Sequence, residues 1–148
     1  QIGGSVTGKL SDMDAMQYSP LALAFIGDGV YEIRVREKLI LEANMPADKL
    51  HKLTVERVCA EYQAKAVHKW LDEGLLNEQE MDIFKRGRNA KSYTSAKNAT
   101  IGDYRRATGF EALMGYLYLD GQYDRLTKLV HTGLEAIGEW EHHRMEKK

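Results

Sequence analysis

The sequence predicts an all-α fold, a bundle of about six helices in a single domain. Only 2 prolines occur in 148 residues, and neither lies in the second half of the chain. Apolar residues recur at helical spacing almost throughout, and no stretch alternates apolar and polar residues for long enough to predict a strand. A hydrophobic content of 43% suits one domain with one sizeable core.

The first predicted helix begins at Ser19-Pro20, which supplies an N-cap followed by proline at the first helical position. The helix should run to about Leu41 and be largely buried, because apolar residues share one face: Leu23, Ile26, Val30 and Ile33. Pro46 closes the connection to the next element.

Three helices are expected in the middle of the chain. A short one covers about residues 49–54, and a longer one ends near Gly74. Asn77 and Glu80 have the spacing of a capping box, which predicts a helix over residues 78–86 that ends at Gly87. The longer helix is marked by four apolar residues at helical spacing: Val58, Tyr62, Ala66 and Trp70.

The last third of the chain predicts a loop and two helices. Residues 92–103 are rich in Ser, Thr, Asn and Gly without periodicity, which is typical of a loop. Residues 104–119 are helical in pattern, and Asp120-Gly121 predicts a turn. The final helix is marked by Leu126, Leu129, Val130, Leu134 and Ile137.

Composition limits the class of protein. We expect residues 1–16 to be a flexible N-terminal tail, partly a remnant of cloning, and residues 17–148 to be the single domain. The start lacks the pattern of a secretory signal, and no run of about 18 apolar residues could span a membrane. Cys59 is the only cysteine, which excludes an intramolecular disulfide and a multi-cysteine metal site. These features predict a cytoplasmic protein without membrane contact.

Charge is distributed unevenly. A net charge of −1 is unusual for a protein that binds nucleic acid. However, residues 85–106 contain seven basic residues and one acid, a local net charge of +6, so the rest of the chain carries −7. This asymmetry predicts one positive face on an acidic body, which would orient a polyanion.

Two acidic residues stand out because they interrupt apolar helices. Asp28 lies between Gly27 and Gly29, and Glu111 has a glycine, Gly115, one turn later. A carboxylate in apolar surroundings is unfavourable unless it is paired, hydrogen-bonded or bound to a cation. The glycines weaken their helices by about 1 kcal/mol each, which indicates that another backbone approaches there. We therefore expect two buried acids that meet at a helix crossing.

A structural explanation of these acids competes with a catalytic one. Either acid alone is more often an edge residue or the partner of a buried arginine, and Arg34 and Arg36 are near enough in sequence to Asp28. The basic segment between the acids favours a phosphodiester-cleaving site, in which Mg²⁺ is bound by one or two carboxylates, water and substrate phosphate. Tyr31 and Glu32 share the helical face of Asp28 and could support the metal site from outside it.

The basic segment is itself open to two interpretations. It can be a solvated charge run at a helix end, or it can contact a phosphate backbone. The second interpretation suits double-stranded RNA, which is recognised mainly by shape, 2′-hydroxyl and phosphate. The candidate RNA-binding residues are Lys85, Arg86, Arg88, Asn89, Lys91 and Lys97.

The chain resembles the ribonuclease III family. Residues 23–32 (LAFIGDGVYE) are similar to its signature helix, in which Phe-Leu-Gly-Asp carries a catalytic aspartate, and residues 110–119 (FEALMGYLYL) are similar to its second acidic motif, Phe-Glu-Ala-Leu-Ile-Gly. The similarity covers about residues 19–137. The Mini-III branch, which lacks a double-stranded-RNA-binding domain, is indicated by residues 50–53, 63–65 and 86–90.

Some residues depart from the larger family. Ordinary ribonuclease III has four acids around its metals, but Ala24 and Thr108 stand at two of those positions. Mini-III proteins share this reduced set, which argues against a permanent two-metal site. Gly29 stands where the family usually has alanine.

The resemblance implies a function and a fold. It implies a ribonuclease III-like bundle of six or seven helices, with Asp28 and Glu111 as catalytic and metal-binding residues and Mg²⁺ as cofactor. It also implies a homodimer that cleaves double-stranded RNA and matures the ends of 23S ribosomal RNA from its precursor, with a ribosomal protein that could present the substrate. Two alternatives remain, an inactive relative that binds structured RNA in a ribosomal particle and a plain helical interaction domain.

Overall fold

A computed structural model describes residues 14–90 and 100–146, with side chains as far as Gly138. A single turn of 3-10 helix, Ala15–Gln17, precedes six α-helices, and no strand occurs within these residues. The predicted all-α fold is confirmed. The helices are α1 Pro20–Glu42, α2 Ala47–Val58, α3 Ala60–Asp72, α4 Glu78–Asn89, α5 Ile101–Leu119 and α6 Tyr123–Glu146.

Local capping determines where several helices begin. The Ser19 hydroxyl accepts a hydrogen bond from the Ala22 N–H at 3.1 Å, with Pro20 in the first turn, as predicted for α1. The predicted capping box of α4 is also confirmed, because Asn77 Oδ1 accepts from the Glu80 N–H at 2.8 Å and Glu80 Oε1 accepts from the Asn77 N–H at 3.0 Å. Gly121, at φ 76°, turns the chain into α6.

The predicted boundaries were wrong in the middle of the chain. α2 is longer than expected, so Val58 ends that helix and does not belong to α3. α5 begins at Ile101, where Thr100 caps it, and not at Tyr104. Of the predicted loop, residues 92–99 lie outside the described residues. Residues 15 and 16, which we expected in the tail, form the 3-10 turn together with Gln17, and Ala15 is buried.

Gly87 does not end α4 as predicted. The helix continues to Asn89, and the glycine lies inside it, against α5. A Cβ at Gly87 would lie 2.8 Å from Ala112 Cβ and 2.9 Å from Gly109 Cα, closer than real Cβ contacts. The glycine therefore allows α4 and α5 to approach closely.

α5 is the central helix, and it packs against α1, α3, α4 and α6. From Ala107 to Leu117 all its residues except Glu111 are buried. Phe110 stacks on Trp70 at a centroid distance of 4.9 Å and meets Tyr31 edge-on at 4.7 Å. Trp70 also donates a hydrogen bond from Nε1 to the Leu129 carbonyl at 3.0 Å, which ties α3 to α6.

A partly buried ion pair joins α4 to α6, with Glu80 buried and Arg125 half-buried. Arg125 donates from Nε and Nη2 to the two carboxylate oxygens of Glu80, both at 2.8 Å, and it also bonds to the Leu75 carbonyl. Burial by itself would raise the pKa of Glu80, but the hydrogen bonds from Arg125 and from the Asn77 backbone lower it below its usual value. The carboxylate therefore stays charged while it caps α4.

α1 is less buried than we expected. One face packs on α5 and α2, but apolar residues on the other side of the helix are open, with Phe25 84% and Ile33 53% exposed. Of the four residues that periodicity placed on the inner face, Leu23 and Val30 are buried and Ile26 is half-buried, but Ile33 is 53% exposed, so the prediction was wrong at Ile33. No described helix combines the length and the apolar character that a membrane crossing needs.

α1 and α5 are in direct backbone contact. A Cβ at Gly27 would lie 1.7 Å from the Glu111 carbonyl oxygen, and one at Gly115 would lie 2.0 Å from the Leu23 carbonyl oxygen. Both distances are far below any real Cβ contact. The expectation of a close backbone approach is confirmed at Gly27 and wrong at Gly29, where a Cβ would meet nothing within 4 Å.

Gly27→Ala and Gly29→Ala should therefore have different effects on the free energy of unfolding. The first should separate the two helices and lower the free energy of unfolding by about 1–3 kcal/mol or more. The second should leave stability unchanged or raise it by about 0.5–1 kcal/mol, because alanine favours the helix. Urea unfolding followed by circular dichroism measures both. Equal stability of the two variants would contradict the assigned packing.

Candidate active site

Asp28 and Glu111 meet at the crossing of α1 and α5. The Asp28 carboxyl lies close enough to Glu111 to raise the pKa of Glu111, through hydrogen bonding and through its negative charge. The backbone contact at Gly27 and Gly115 brings them together, since each glycine lies within four residues of one acid and packs against the opposite helix. The predicted pairing across a helix crossing is thus present in the structure.

The two acids differ in their burial. Glu111 is half-buried, whereas Asp28 is exposed, so the expectation that both acids are buried is wrong for Asp28. Gly27 and Val30, close to it in sequence, are buried, but the Asp28 side chain is open to solvent. The pair therefore has one oxygen-bearing side that a ligand from solution can reach.

The electrostatics of the pair favour a cation. Burial, the hydrogen bond to Asp28 and the negative charge of Asp28, in that order, raise the pKa of Glu111 to about 8, and the side chain of Gln63 opposes the rise. Two carboxylates this close repel each other when both are ionised. A bound divalent cation would relieve the repulsion, because its charge is the largest in such a site.

Gln63 is a site residue that our sequence analysis missed as a candidate. Its side chain, on α3, interacts with Glu111 and is only 1% exposed. Its Nε2 is buried and has no hydrogen-bond partner among the described residues. A signal was present in the sequence, since an amide between Tyr62 and Ala64 interrupts a helix face that is otherwise apolar.

The arginines that could have neutralised Asp28 have other partners. Arg34 pairs with Glu37 at 3.9 Å, and Arg36 pairs with Glu32 at 3.3 Å. Both pairs are formed along the surface of α1. The alternative in which an arginine accounts for Asp28 is therefore not supported.

The two predicted supporting residues lie in different surroundings. Tyr31 is buried, its hydroxyl donates to the Arg57 carbonyl at 3.0 Å, and burial strongly raises its pKa. This hydrogen bond therefore connects α1 to the end of α2. Glu32 is half-exposed and bound to Arg36. Their support of a metal site stays a prediction.

The described part of the basic segment lies in the last turns of α4. Lys85 and Asn89 are exposed, and Arg88 lies over the ring of Phe84 at 5.8 Å and donates from Nε to Asn89 Oδ1 at 3.2 Å. Lys91 and Lys97 lie outside the described residues. The contact of Gly87 with Thr108 and Gly109 sets the basic end of α4 against α5 just before Glu111.

Arg86 differs from the other basic residues. It donates from Nη1 to the Met16 carbonyl at 2.8 Å and from Nη2 to the Tyr18 carbonyl at 3.3 Å. The guanidinium therefore fastens the segment before α1 to α4. Its contact with RNA stays a prediction.

The donor set of the acid pair fits a hard cation. Within the described part of the chain, no group of three or more His, Cys, Asp or Glu side chains could hold a metal ion. Two carboxylates remain, and Mg²⁺ is often bound by one or two carboxylates while water and phosphate supply the other ligands. The site suits such an ion better than Zn²⁺, which prefers several nitrogen or sulfur ligands.

Comparison with known proteins is consistent with this geometry. Residues 21–122 match the family model of the ribonuclease III domain. The chain belongs to the ribonuclease III family. It is 46% identical over 133 residues to a Mini-ribonuclease 3 from Thermoanaerobacter sp. (strain X514), which covers 90% of this chain and 92% of the relative. A Mini-ribonuclease 3 from Enterococcus faecalis is 44% identical, covering 85% and 96%.

A solved structure supports the same conclusion. The crystal structure of a protein from Fusobacterium nucleatum superimposes with a TM-score of 0.70 at 30% identity and covers 80% of this chain and 93% of that one. The resemblance to ribonuclease III, its Mini-III branch and its helical bundle is therefore confirmed.

Arg86→Met and Lys85→Met should have different effects on stability, because Arg86 makes hydrogen bonds within the fold and Lys85 is exposed. Loss of the guanidinium leaves the Met16 and Tyr18 carbonyls without their donor, so Arg86→Met should lower the free energy of unfolding by about 1.5–3 kcal/mol. Lys85→Met should change it by less than about 0.5 kcal/mol. Thermal unfolding compares them, and an unaltered Arg86→Met protein would show that the two hydrogen bonds do not stabilise the fold.

Proposed function

We propose that this chain hydrolyses phosphodiester bonds in double-stranded RNA at Asp28 and Glu111, with Mg²⁺ as cofactor. Membership of the ribonuclease III family makes the chain an endoribonuclease. The observation that carries the assignment of the site is the contact between the two carboxyl groups, one of them open to solvent. An inert scaffold gains nothing from two acids that repel each other beside its core.

Each acid has a distinct part in this proposal. A divalent cation bound there would activate a water molecule and stabilise the charge that develops on the phosphate. Asp28 offers its oxygens from the solvent side, where a phosphate can approach, and Glu111 offers its own from the interior. Since the described residues offer two carboxylate ligands, the site should bind Mg²⁺ weakly until RNA supplies further oxygens.

Positioning of the RNA falls to the basic segment. Lys85, Arg88 and Asn89 are available on the end of α4, beside the part of α5 that leads to Glu111. Contacts of this kind recognise the phosphate backbone and not the base sequence. Lys91 and Lys97 extend the same proposal beyond the described residues.

We further propose that the protein acts as a homodimer through the open face of α1. Phe25 is exposed on this face, and a groove of about 340 Å³ runs along α1. The groove is lined by Ile26, Gly29, Val30 and Ile33, with Arg34, Glu37 and Tyr118 also in its walls. A patch of this kind on one helix can pair with itself about a two-fold axis. A duplex has local two-fold symmetry as well, so each copy could address one strand. The large apolar residues exposed on α1 are Leu21, Phe25, Ile33, Ile40 and Leu41.

The substrate we propose is the precursor of 23S ribosomal RNA in the cytoplasm, with a ribosomal protein that can present it. This part of the proposal is supported by the resemblance to Mini-III alone. The competing function, an inactive domain that binds structured RNA in a ribosomal particle, predicts binding without cleavage. Incubation of the protein with a precursor RNA, with and without Mg²⁺, followed by mapping of the ends, distinguishes the two.

Asp28→Asn should abolish most cleavage of duplex RNA. The substitution keeps the shape of the side chain but removes the charge that holds the cation, so we expect a fall in rate of more than about 100-fold. Removal of Mg²⁺ with a chelator should have the same effect on the unmodified protein. Gel analysis of a labelled duplex measures the rate, and Asp124→Asn, an exposed acid on α6, is the matched control. Unchanged Mg²⁺-dependent cleavage by Asp28→Asn would refute the assignment.

Phe25→Glu should convert the dimer to a monomer. A charge on the open face of α1 would have to be buried without a partner in the proposed interface. Sedimentation velocity measures the mass, and Val55→Glu, which alters an exposed apolar residue of α2, should remain dimeric. An unmodified protein that sediments as a monomer would contradict the proposed assembly.

A further inference from the structure

Gln63 is a buried polar residue whose side-chain donor is not satisfied by the fold. Its side chain is almost fully buried, yet the Nε2 donor makes no hydrogen bond within the described residues. A buried donor without a partner destabilises a protein, and an apolar residue of similar size would avoid that penalty. Such a group calls for a partner that is present only in another state of the molecule.

The surroundings of Gln63 identify that partner. The flanking residues Tyr62, Ala64 and Ala66 are buried in the packing of α3. The side chain of Gln63, which belongs to α3, interacts with Glu111 and opposes the rise in its pKa. That interaction brings the amide near the carboxyl group, although Nε2 does not complete a hydrogen bond to it.

Glu111 has another partner in the absence of a cation, namely Asp28. A cation held between the two acids would take the place of that hydrogen bond. One oxygen of Glu111 would then face the cation and the other would need a donor from the protein. Carboxylates that bind metals are normally fixed by such outer hydrogen bonds.

We propose that Gln63 is a positioning residue, whose Nε2 donates a hydrogen bond to the Glu111 carboxylate when the acid pair holds a divalent cation. This inference rests on the metal site proposed above. Gln63 does not touch the cation or the RNA. It fixes the rotamer of Glu111, which matters more here than in a site with four acids, because two carboxylates supply the protein ligands among the described residues.

Binding of Mn²⁺ to the full chain without RNA tests this role. Mn²⁺ favours the same oxygen ligands as Mg²⁺ and can be followed by electron paramagnetic resonance. Gln63→Met, which keeps the volume and removes the donor, should weaken Mn²⁺ binding by about 10- to 100-fold. The melting temperature without metal should stay the same or rise, because an unpaired donor is lost. At saturating metal the KM for duplex RNA should be unchanged.

Controls separate this role from a merely structural one. Gln79→Met makes the same substitution at an exposed position of α4 and should leave Mn²⁺ binding unaltered. Should Gln63→Met fail to fold, Gln63→Asn keeps the amide but withdraws it by one methylene, and it should weaken Mn²⁺ binding as well. Full Mn²⁺ affinity in either folded variant would overturn the proposal.

The same titration reports separately on the metal site itself. If Asp28→Asn and the unmodified protein bind Mn²⁺ equally well, the proposed metal site is wrong and the role of Gln63 is overturned with it. If Asp28→Asn loses Mn²⁺ and Gln63→Met does not, only the role of Gln63 is overturned. Loss of affinity in both variants is the result that we expect.

Discussion

The direct contact between the backbones of α1 and α5 is the constraint on which the rest of the molecule depends. Glycine at 27 and at 115 lets each helix lie against a carbonyl of the other. Any larger residue would separate the helices, and the carboxyl groups of Asp28 and Glu111 would then no longer meet. The contact of Gly87 with Gly109 adds α4 to the same central helix. Close packing and the candidate site therefore arise from the same few glycines.

The polar groups around Glu111 are unfavourable for stability, and other parts of the fold offset this cost. Its carboxyl group is half-buried beside another acid, and the buried amide of Gln63 has no complete hydrogen bond in the described structure. Other contacts of the fold are well satisfied by comparison. Phe110, next to Glu111, stacks on Trp70, and Glu80 is fully engaged by Arg125 and the cap of α4. Unfavourable polar groups concentrated at one place are typical of a functional site set in a stable framework.

Much of the fold could be predicted because its signals are local. Ser19-Pro20 and the capping box at Asn77 act within one turn of a helix, and they mark their helices correctly. Gly87 was misinterpreted because a glycine that ends a helix and one that admits a neighbouring helix have the same sequence context. Arg86 donates to a carbonyl 70 residues away in the sequence, so no local pattern could reveal its role. The position of Gln63 in an apolar stretch is a local signal, but its closeness to Glu111, 48 residues away, is not. The exposure of Asp28 depends in the same way on which face of α1 the fold covers.

α1 connects the two parts of the proposed function. Phe25 and Asp28 are three residues apart and therefore lie on neighbouring positions of the helix surface. A dimer that buries Phe25 would place the two copies of Asp28 close to the interface, with no loop between the contact and the site. Because α1 and α5 are in direct backbone contact, the position of Glu111 relative to Asp28 and to the interface would also be fixed. The separation of two such sites would then be set by helix packing, which is the kind of fixed spacing that a rigid A-form duplex demands of an enzyme that cuts both of its strands.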